Sequence, residues 1–121
     1  MKIIIIGGVA GGASCAARLR RLDEKAEIII IERMGYVSYA NCGLPYYVGD
    51  VISDGAQLSL QTPESFRRRF NIDVRVRQEA LSIDVANKSI RIQRLDDDLI
   101  YQESYDELVL SPGARPIRPY I

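Results

Sequence analysis

The feature that most constrains the fold of this chain is a short apolar segment that runs directly into a glycine-rich turn. Residues 3–6 are all isoleucine, a β-branched run typical of a central strand covered on both faces. Four glycines fall within the next six residues, and a helical pattern then extends from about Gly12 to Asp23. A second apolar run, from Glu27 to Ile31, ends at Glu32. Strand, turn, helix and strand in this order predict a βαβ unit.

The turn approximates the G-x-G-x-x-G pattern, with Val9 at the position of the middle glycine. In such a turn, backbone N–H groups approach a pyrophosphate at the positive end of the following helix. Glu32 ends the second strand twenty residues beyond Gly12, where a carboxylate can accept hydrogen bonds from ribose hydroxyls. This register favours dinucleotide binding over a turn that only packs a helix on a sheet. The pattern leaves FAD and NAD open, and Arg33 fits either a 2′-phosphate contact or a solvated surface position.

The helix after the turn carries two sets of side chains that its 3.6-residue period separates. We expect the apolar set to form one buried stripe, consisting of Gly12, Cys15, Leu19 and Leu22. The polar set is expected along one flank of that stripe and consists of Ser14, Arg18 and Arg21. On the residues alone, this flank is either a solvated basic face or a phosphate-binding one.

The rest of the chain is expected to hold two short helices and several strands. One helix is predicted from Asn41 to Val48, and a second begins after the N-cap Thr62 and ends near Phe70. That second helix carries Arg67–Arg69, either a phosphate-facing cluster or ordinary surface. The predicted strands cover residues 74–77, 80–85, 89–95, 99–104 and 108–110, the last of them buried. Residues 114–121 contain two prolines and are typical of a linker, so we interpret the chain as the N-terminal piece of a larger protein.

Composition excludes several classes of function. The chain has 121 residues, 16 basic and 16 acidic side chains and no histidine. Zero formal net charge removes the simplest reason to expect a nucleic-acid partner. Without histidine, Ser-His-Asp and Cys-His catalysis are excluded, and no metal site is expected. The apolar start is too short for a signal peptide or a membrane span, and two cysteines cannot form a disulfide framework. A cytoplasmic domain with no membrane partner is therefore expected.

Cys42 is the candidate catalytic thiol. It lies at the expected start of the short helix, where the helix macrodipole favours a thiolate. Gly43 leaves room for a flat ring or a second sulfur beside it. The alternative is a small buried hydrophobe, which cysteine often is. Combined with the upstream nucleotide-binding unit, the redox interpretation is favoured, whereas Cys15 is interpreted as part of the core.

Taken together, these segments resemble the flavin-dependent pyridine nucleotide-disulfide oxidoreductases. The resemblance covers nearly the whole chain and is carried by the glycine turn, Glu32, and residues 38–46, 62–64 and 105–114. Tyr47 stands where two-cysteine members of the family have their second thiol, so Cys42 resembles the single-cysteine branch. Members of that branch that act on peroxide or oxygen usually carry a histidine near Ala10. Its absence here favours a thiol-disulfide substrate, with coenzyme A disulfide the one the resemblance suggests most strongly.

The resemblance implies an α/β fold: a Rossmann-like FAD-binding domain with a parallel sheet, a glycine-rich βαβ start and a small antiparallel β element. Residues 1–113 would form the first part of this domain, and residues 114–121 would begin a linker to an NAD(P)-binding domain. NAD(P)H would reduce FAD, and the full-length protein would be a homodimer. The isolated chain would be inert and would bind FAD weakly or not at all.

The resemblance also implies the residues that form each site. Cofactor contacts would come from Gly7, Gly8, Val9, Ala10, Gly12, Glu32, Arg33, Ala80, Ser111 and Gly113. Substrate contacts would come from Ser14, Arg18, Arg21, Ser38 and Asn41. Three alternatives stay open: an NADH oxidase or peroxidase of the same branch, a polysulfide reductase, and a non-catalytic nucleotide-binding module.

Overall fold

The computed structural model describes residues 1–8, 10–35 and 62–113 of the chain. The elements in these ranges are β1 (Lys2–Ile6), α1 (Ala10–Leu22), β2 (Glu27–Glu32), α2 (Pro63–Phe70), β3 (Asp73–Val76), β4 (Gln78–Asp84), β5 (Ser89–Arg94), β6 (Ile100–Ser104) and β7 (Glu107–Leu110). The helix predicted from Asn41 to Val48 and the linker predicted at 114–121 lie outside the described residues. Neither helix in the described part of the chain is long and apolar enough to cross a membrane.

Two sheets of different kinds form the frame of the protein. The first is parallel, with strand order β3-β2-β1-β7, and the second is antiparallel, with order β4-β5-β6. In the parallel sheet, Ile4 of β1 is paired with Ile29 of β2 on one side and with Leu108 of β7 on the other. The predicted βαβ start is therefore confirmed, and so is the Rossmann-like α/β class with a small antiparallel element.

The isoleucine runs bury both faces of the parallel sheet because successive side chains of a strand point in opposite directions. Ile3 and Ile5 pack in the core under the two helices, together with the buried Phe66 of α2. Ile4 packs on the other face, against Ile90 and Ile92 of β5 and their neighbours. The parallel sheet is thus the middle of three layers, with helices on one side and the antiparallel sheet on the other.

A partly buried polar network joins the antiparallel sheet to the parallel one. The Nζ of Lys2 lies 2.9 Å from a carboxylate oxygen of Glu103, whose other oxygen lies 3.6 Å from the guanidinium of Arg75. Arg75 also bonds Asp73 at 2.9 Å and the Tyr101 hydroxyl at 3.2 Å. Partial burial alone would lower the pKa of Arg75, but the hydrogen bonds to Tyr101 and Asp73 outweigh it and raise the pKa. Arg75 therefore keeps its charge, which the network requires.

The second helix is capped as its sequence predicts. The Thr62 side chain accepts the Ser65 N–H, and the Ser65 hydroxyl accepts the Thr62 N–H in return. Pro63 occupies the first turn, where its missing N–H costs nothing. Asn71 closes the other end in the left-handed conformation, at φ 52°. The predicted boundaries of this helix are confirmed.

The buried face of α1 differs from the predicted stripe. The fully buried residues are Gly12, Ala13 and Ala16, with Cys15 and Leu19 only partly buried. Leu22 is 67% exposed, so its assignment to the stripe is wrong. The cause is helical phase: the buried face is centred on Ala16, and at 100° per residue Leu22 lies about 120° around the helix from it.

The last predicted strand is also less buried than expected. Leu108 and Val109 are half-buried, and Leu110 is 59% exposed. In the described part of the chain, β7 is an edge strand of the parallel sheet, and it pairs with β1 on one side. In the sequence, a short apolar run has the same pattern in an edge strand as in a central strand. The prediction that this strand is buried was wrong for that reason.

Candidate functional site

The candidate site lies at the carboxyl edge of the parallel sheet, where ligands bind in open α/β sheets. Three strands end there side by side: β1 in the glycine turn, β2 in Glu32 and β7 immediately before Ser111. The Gly7 N–H donates to the Ile31 carbonyl at 2.9 Å, and the Ser111 N–H donates to the Ile6 carbonyl at 2.8 Å. The turn is therefore attached to both neighbouring strands.

Two glycines of the turn are required by close backbone contacts. Gly7 has φ +98°, and a Cβ on it would lie 1.9 Å from the Ser111 carbonyl oxygen. A Cβ on Gly12 would lie 1.6 Å from the Gly7 carbonyl oxygen. Both contacts are far inside van der Waals distance, so a side chain at either position would separate α1 or β7 from β1. Gly11 differs, because a Cβ there would meet the Ser111 side chain at an ordinary 3.5 Å.

Glu32 is buried and attaches the turn to the end of β2. One carboxylate oxygen accepts the Gly8 N–H at 2.9 Å, and the other accepts the Met34 N–H at 2.8 Å. Each carboxylate oxygen has a second lone pair, so the group can still accept hydrogen bonds from hydroxyl groups of a ligand. The Gly8 amide, in contrast, is already bonded within the protein.

Ser111 attaches the turn on the opposite side. Its hydroxyl oxygen lies 3.2 Å from the Ile6 carbonyl oxygen and 3.1 Å from that of Gly7. The Gly7 carbonyl, which also faces Gly12, is thereby directed into the contact between the turn and α1.

The start of α1 fits an anionic group. The first four N–H groups of an α-helix have no acceptor within the helix, and they form its positive end. The first turn of α1 contains no acidic residue that would compete for them. With N–H donors at the helix start and the Glu32 carboxylate beside it, the donors and acceptors match the phosphates and ribose of a dinucleotide.

Three further predicted cofactor residues lie around this edge. Arg33 is exposed, with its guanidinium 3.8 Å from the Glu79 carboxylate, and about half of each side chain is in solvent, so the pair is weak. Ala80 is half-buried in β4, at the point where the register with β5 shifts. Gly113 has φ +78° and open space around it.

The predicted substrate residues on α1 share one exposed face. Ser14, Arg18 and Arg21 are all exposed, on the side of the helix turned away from the buried Ala16. This face is opposite the buried stripe rather than along its flank. Cys15 carries a free, half-buried thiol.

Four predicted site residues lie outside the described residues: Val9, Ser38, Asn41 and Cys42. The proposed thiol chemistry therefore stays a prediction. The Ala10 backbone begins α1, as a turn-to-helix transition requires.

The sequence patterns did not single out Arg20, which has a structural role. Its guanidinium donates to the carbonyls of Phe70 at 2.7 Å and Asn71 at 3.1 Å, at the end of α2. It also donates to the carbonyls of Asp23 at 3.1 Å and Glu24 at 2.9 Å, just beyond α1. The signal available in the sequence was an arginine in the last turn of a helix, where carbonyls lack partners.

Arg67 likewise belongs to an ion pair, at 3.1 Å from Asp73. All three arginines of α2 are exposed, and the guanidinium of Arg67 is directed toward Asp73.

Comparison with known proteins identifies the family. A family model described as pyridine nucleotide-disulphide oxidoreductase matches residues 1–121. The chain belongs to this family. It is 43% identical over 113 residues to the coenzyme A disulfide reductase of Staphylococcus epidermidis, covering 93% of this chain and 26% of that protein.

Two solved structures of related proteins superimpose closely on this pyridine nucleotide-disulphide oxidoreductase chain. Reduced Bacillus anthracis CoADR-RHD is 54% identical with a TM-score of 0.96, over 99% of this chain and 22% of that chain. A NAD-dependent persulfide reductase from A. fulgidus is 38% identical with a TM-score of 0.94, over 100% of this chain and 22% of that chain. The chain thus spans about a quarter of the length of its relatives.

Proposed function

We propose that this chain is the first part of the FAD-binding portion of an NAD(P)H-dependent flavoprotein that reduces coenzyme A disulfide through Cys42. The observation that carries the proposal is the arrangement at the turn. Glu32 is buried beside Gly8, the Gly7 carbonyl is directed inward, and the first turn of α1 carries no acidic residue that would compete for its N–H groups. Similarity to coenzyme A disulfide reductase supplies the substrate class.

The described contacts indicate which groups at the turn would bind which part of FAD. The amides of Gly7 and Gly8 are bonded to Ile31 and Glu32, so the pyrophosphate would bind at the first N–H groups of α1 instead. Glu32 would accept hydrogen bonds from the ribose hydroxyls through its remaining lone pairs. Further contacts are proposed at Val9, Arg33, Ala80, Ser111 and Gly113.

The proposed chemistry is thiol-disulfide exchange. The Cys42 thiolate would attack one sulfur of coenzyme A disulfide, forming a mixed disulfide and releasing one coenzyme A thiolate. When bound, the flavin supplies two electrons from NAD(P)H, which cleave the mixed disulfide to the Cys42 thiolate and a second coenzyme A thiolate. The thiolate form of Cys42 is required because the protonated thiol is a poor nucleophile.

The substrate would lie against the exposed face of α1. Arg18 and Arg21 carry charges that suit the phosphates of coenzyme A, and Ser14 adds a hydroxyl on the same face. The structure supports this assignment because all three side chains are accessible. Ser38 and Asn41 are proposed as the remaining substrate contacts by resemblance.

We also propose a domain arrangement for the complete protein. Residues 1–113 would belong to the flavin domain and residues 114–121 to a linker, with a cytoplasmic homodimer as the assembly. Two observations support more chain around this one: it spans 26% of a curated relative, and Leu110 is exposed on the edge strand β7. The 121-residue chain alone would be inactive.

A second candidate function is reduction of a persulfide or polysulfide. The 38% identity to a NAD-dependent persulfide reductase, with a TM-score of 0.94, favours it as the alternative. An NADH oxidase of the same branch is a third possibility, against which the alanine at position 10 argues.

Steady-state assays of the complete protein separate these functions. The acceptors to compare are coenzyme A disulfide, a persulfide, oxygen and peroxide, each with NADH and NADPH. Cys42→Ser should abolish disulfide reduction, while Cys15→Ser, which changes a half-buried thiol of α1, should retain it. Faster turnover with the persulfide would favour the second candidate, and full activity of Cys42→Ser would contradict both thiol mechanisms.

A further inference from the structure

The peptide group between Gly7 and Gly8 is held from both ends by the side chains of Glu32, at the end of β2, and Ser111, just after β7. Its carbonyl oxygen faces the Ser111 hydroxyl at 3.1 Å, and its N–H donates to Glu32 at 2.9 Å. In a trans peptide these two groups point in opposite directions. We name this arrangement, formed by Glu32 and Ser111 around one peptide group, the peptide clamp.

The Ser111 hydroxyl donates its hydrogen bond to the carbonyl of Gly7 rather than to that of Ile6. The hydroxyl oxygen is almost equally distant from the carbonyls of Ile6 and Gly7. The Ile6 carbonyl already accepts the Ser111 N–H at 2.8 Å. Among residues 1–8, 10–35 and 62–113, no other donor reaches the Gly7 carbonyl, and Gly7 is buried. Because a buried carbonyl without a donor costs free energy, the Ser111 hydroxyl donates to the Gly7 carbonyl.

The clamp matters because this peptide could otherwise rotate. Gly7 has φ +98°, and its neighbour is also glycine, so neither residue has a Cβ that would hinder rotation of the peptide plane. A rotated plane would turn the Gly7 carbonyl away from its contact with Gly12 and take the Gly8 N–H away from Glu32. Rotation would therefore release the Glu32 carboxylate proposed to bind the ribose, and it would loosen the packing of the turn against α1, whose first N–H groups are proposed to bind the phosphates.

We propose that Ser111 is a positioning residue for the cofactor: its hydroxyl keeps the Gly7–Gly8 peptide in the orientation that binds an anionic dinucleotide. This inference rests on the proposed function for the identity of the ligand, whereas the clamp itself rests on the structure alone. It gives Ser111 an indirect role, through Gly7, in addition to any contact with the cofactor.

The experiment compares Ser111→Ala with Ser104→Ala in the complete protein. Ser104 is an exposed serine at the end of β6, in the antiparallel sheet, and serves as the matched control. The first readout is hydrogen exchange of the Gly8 amide, measured in the apoprotein. This amide lies at the end of the clamped peptide group opposite to Ser111. Ser111→Ala should speed this exchange about tenfold, since one lost hydrogen bond to a buried carbonyl corresponds to roughly that factor. Ser104→Ala should leave it unchanged.

The second readout is the dissociation constant of FAD. Ser111→Ala should weaken binding about tenfold by the same reasoning. Ser111→Thr keeps the hydroxyl and should restore both properties, whereas Ser111→Cys, with its weak S–H donor, should restore neither fully. This second pair of variants keeps the test decisive if Ser111→Ala does not fold.

The outcomes separate this inference from the proposed function. If the wild-type protein does not bind FAD, the proposed function fails, while Gly8 exchange still tests the clamp. If the wild type binds FAD and Ser111→Ala changes neither exchange nor affinity, the clamp is refuted. Faster exchange with unchanged affinity would also overturn the role of Ser111 in cofactor binding.

Discussion

The contact between Gly12 and Gly7 gives the sharpest test of how the turn is built. Gly12→Ala places a Cβ 1.6 Å from the Gly7 carbonyl oxygen, whereas carbon and oxygen atoms in close contact normally lie roughly 3.3 Å apart. The helix and the turn would therefore have to separate by about 1.7 Å at their closest point. Forcing extra volume into a packed contact of this kind costs roughly 1–3 kcal/mol or more.

Gly11→Ala is the matched control for this substitution. Both positions lie in the first turn of α1, and in both cases alanine gains about 1 kcal/mol of helix propensity over glycine. A Cβ on Gly11 would make only an ordinary contact at 3.5 Å. We therefore expect Gly11→Ala to stabilise the apoprotein by about 0.5–1 kcal/mol. We expect Gly12→Ala to destabilise it by about 2 kcal/mol.

Urea denaturation of the apoprotein measures both free energies of unfolding without interference from the cofactor. The expected difference between the two variants is about 3 kcal/mol, the sum of their opposite effects. Equal effects of the two substitutions, or a stable Gly12→Ala variant, would refute the close contact between α1 and the turn.

Three further predictions follow from contacts away from the turn. Arg20→Met removes four hydrogen bonds to backbone carbonyls and should lower the free energy of unfolding by about 2 kcal/mol in urea denaturation, with Arg69→Met as an exposed control. Phe66→Ala, at a 2% exposed residue, should cost about 3–5 kcal/mol in the same assay. The side-chain and backbone hydrogen bonds from Asn87 lower the pKa of Asp84. These bonds should therefore persist at neutral pH and be lost only as pH falls through that lowered pKa, and an NMR titration that gave an ordinary or raised value would contradict them.

Much of the fold could be predicted because it depends on local patterns. The isoleucine run, the glycine turn and the acid at position 32 are close in sequence, and each has a direct structural meaning. The same is true of α2, whose capping residues lie within the four positions 62–65. These elements also fix the candidate site, since the turn and Glu32 meet at one edge of the parallel sheet.

What could not be predicted depends on contacts between distant parts of the chain. Ser111 bonds Gly7 across 104 positions, and Arg20 bonds Phe70 across 50. No periodicity in the sequence indicates contacts between residues so far apart. Leu22 was misplaced for a different reason: small residues set the phase of the buried face, and alanine carries little hydrophobic signal.

The isoleucine runs of β1 and β2 have a consequence for how the strands align. Because both faces of each strand bear the same side chain, sliding one strand past the other by a single residue would bury nearly as much hydrocarbon as before. Alignment must then be enforced where the runs stop, and the hydrogen bond from the Gly8 N–H to Glu32 joins the ends of these two strands. The residues proposed to hold the cofactor would thus also select one strand alignment among several of similar stability. Correct folding would then depend on the same few residues as ligand binding.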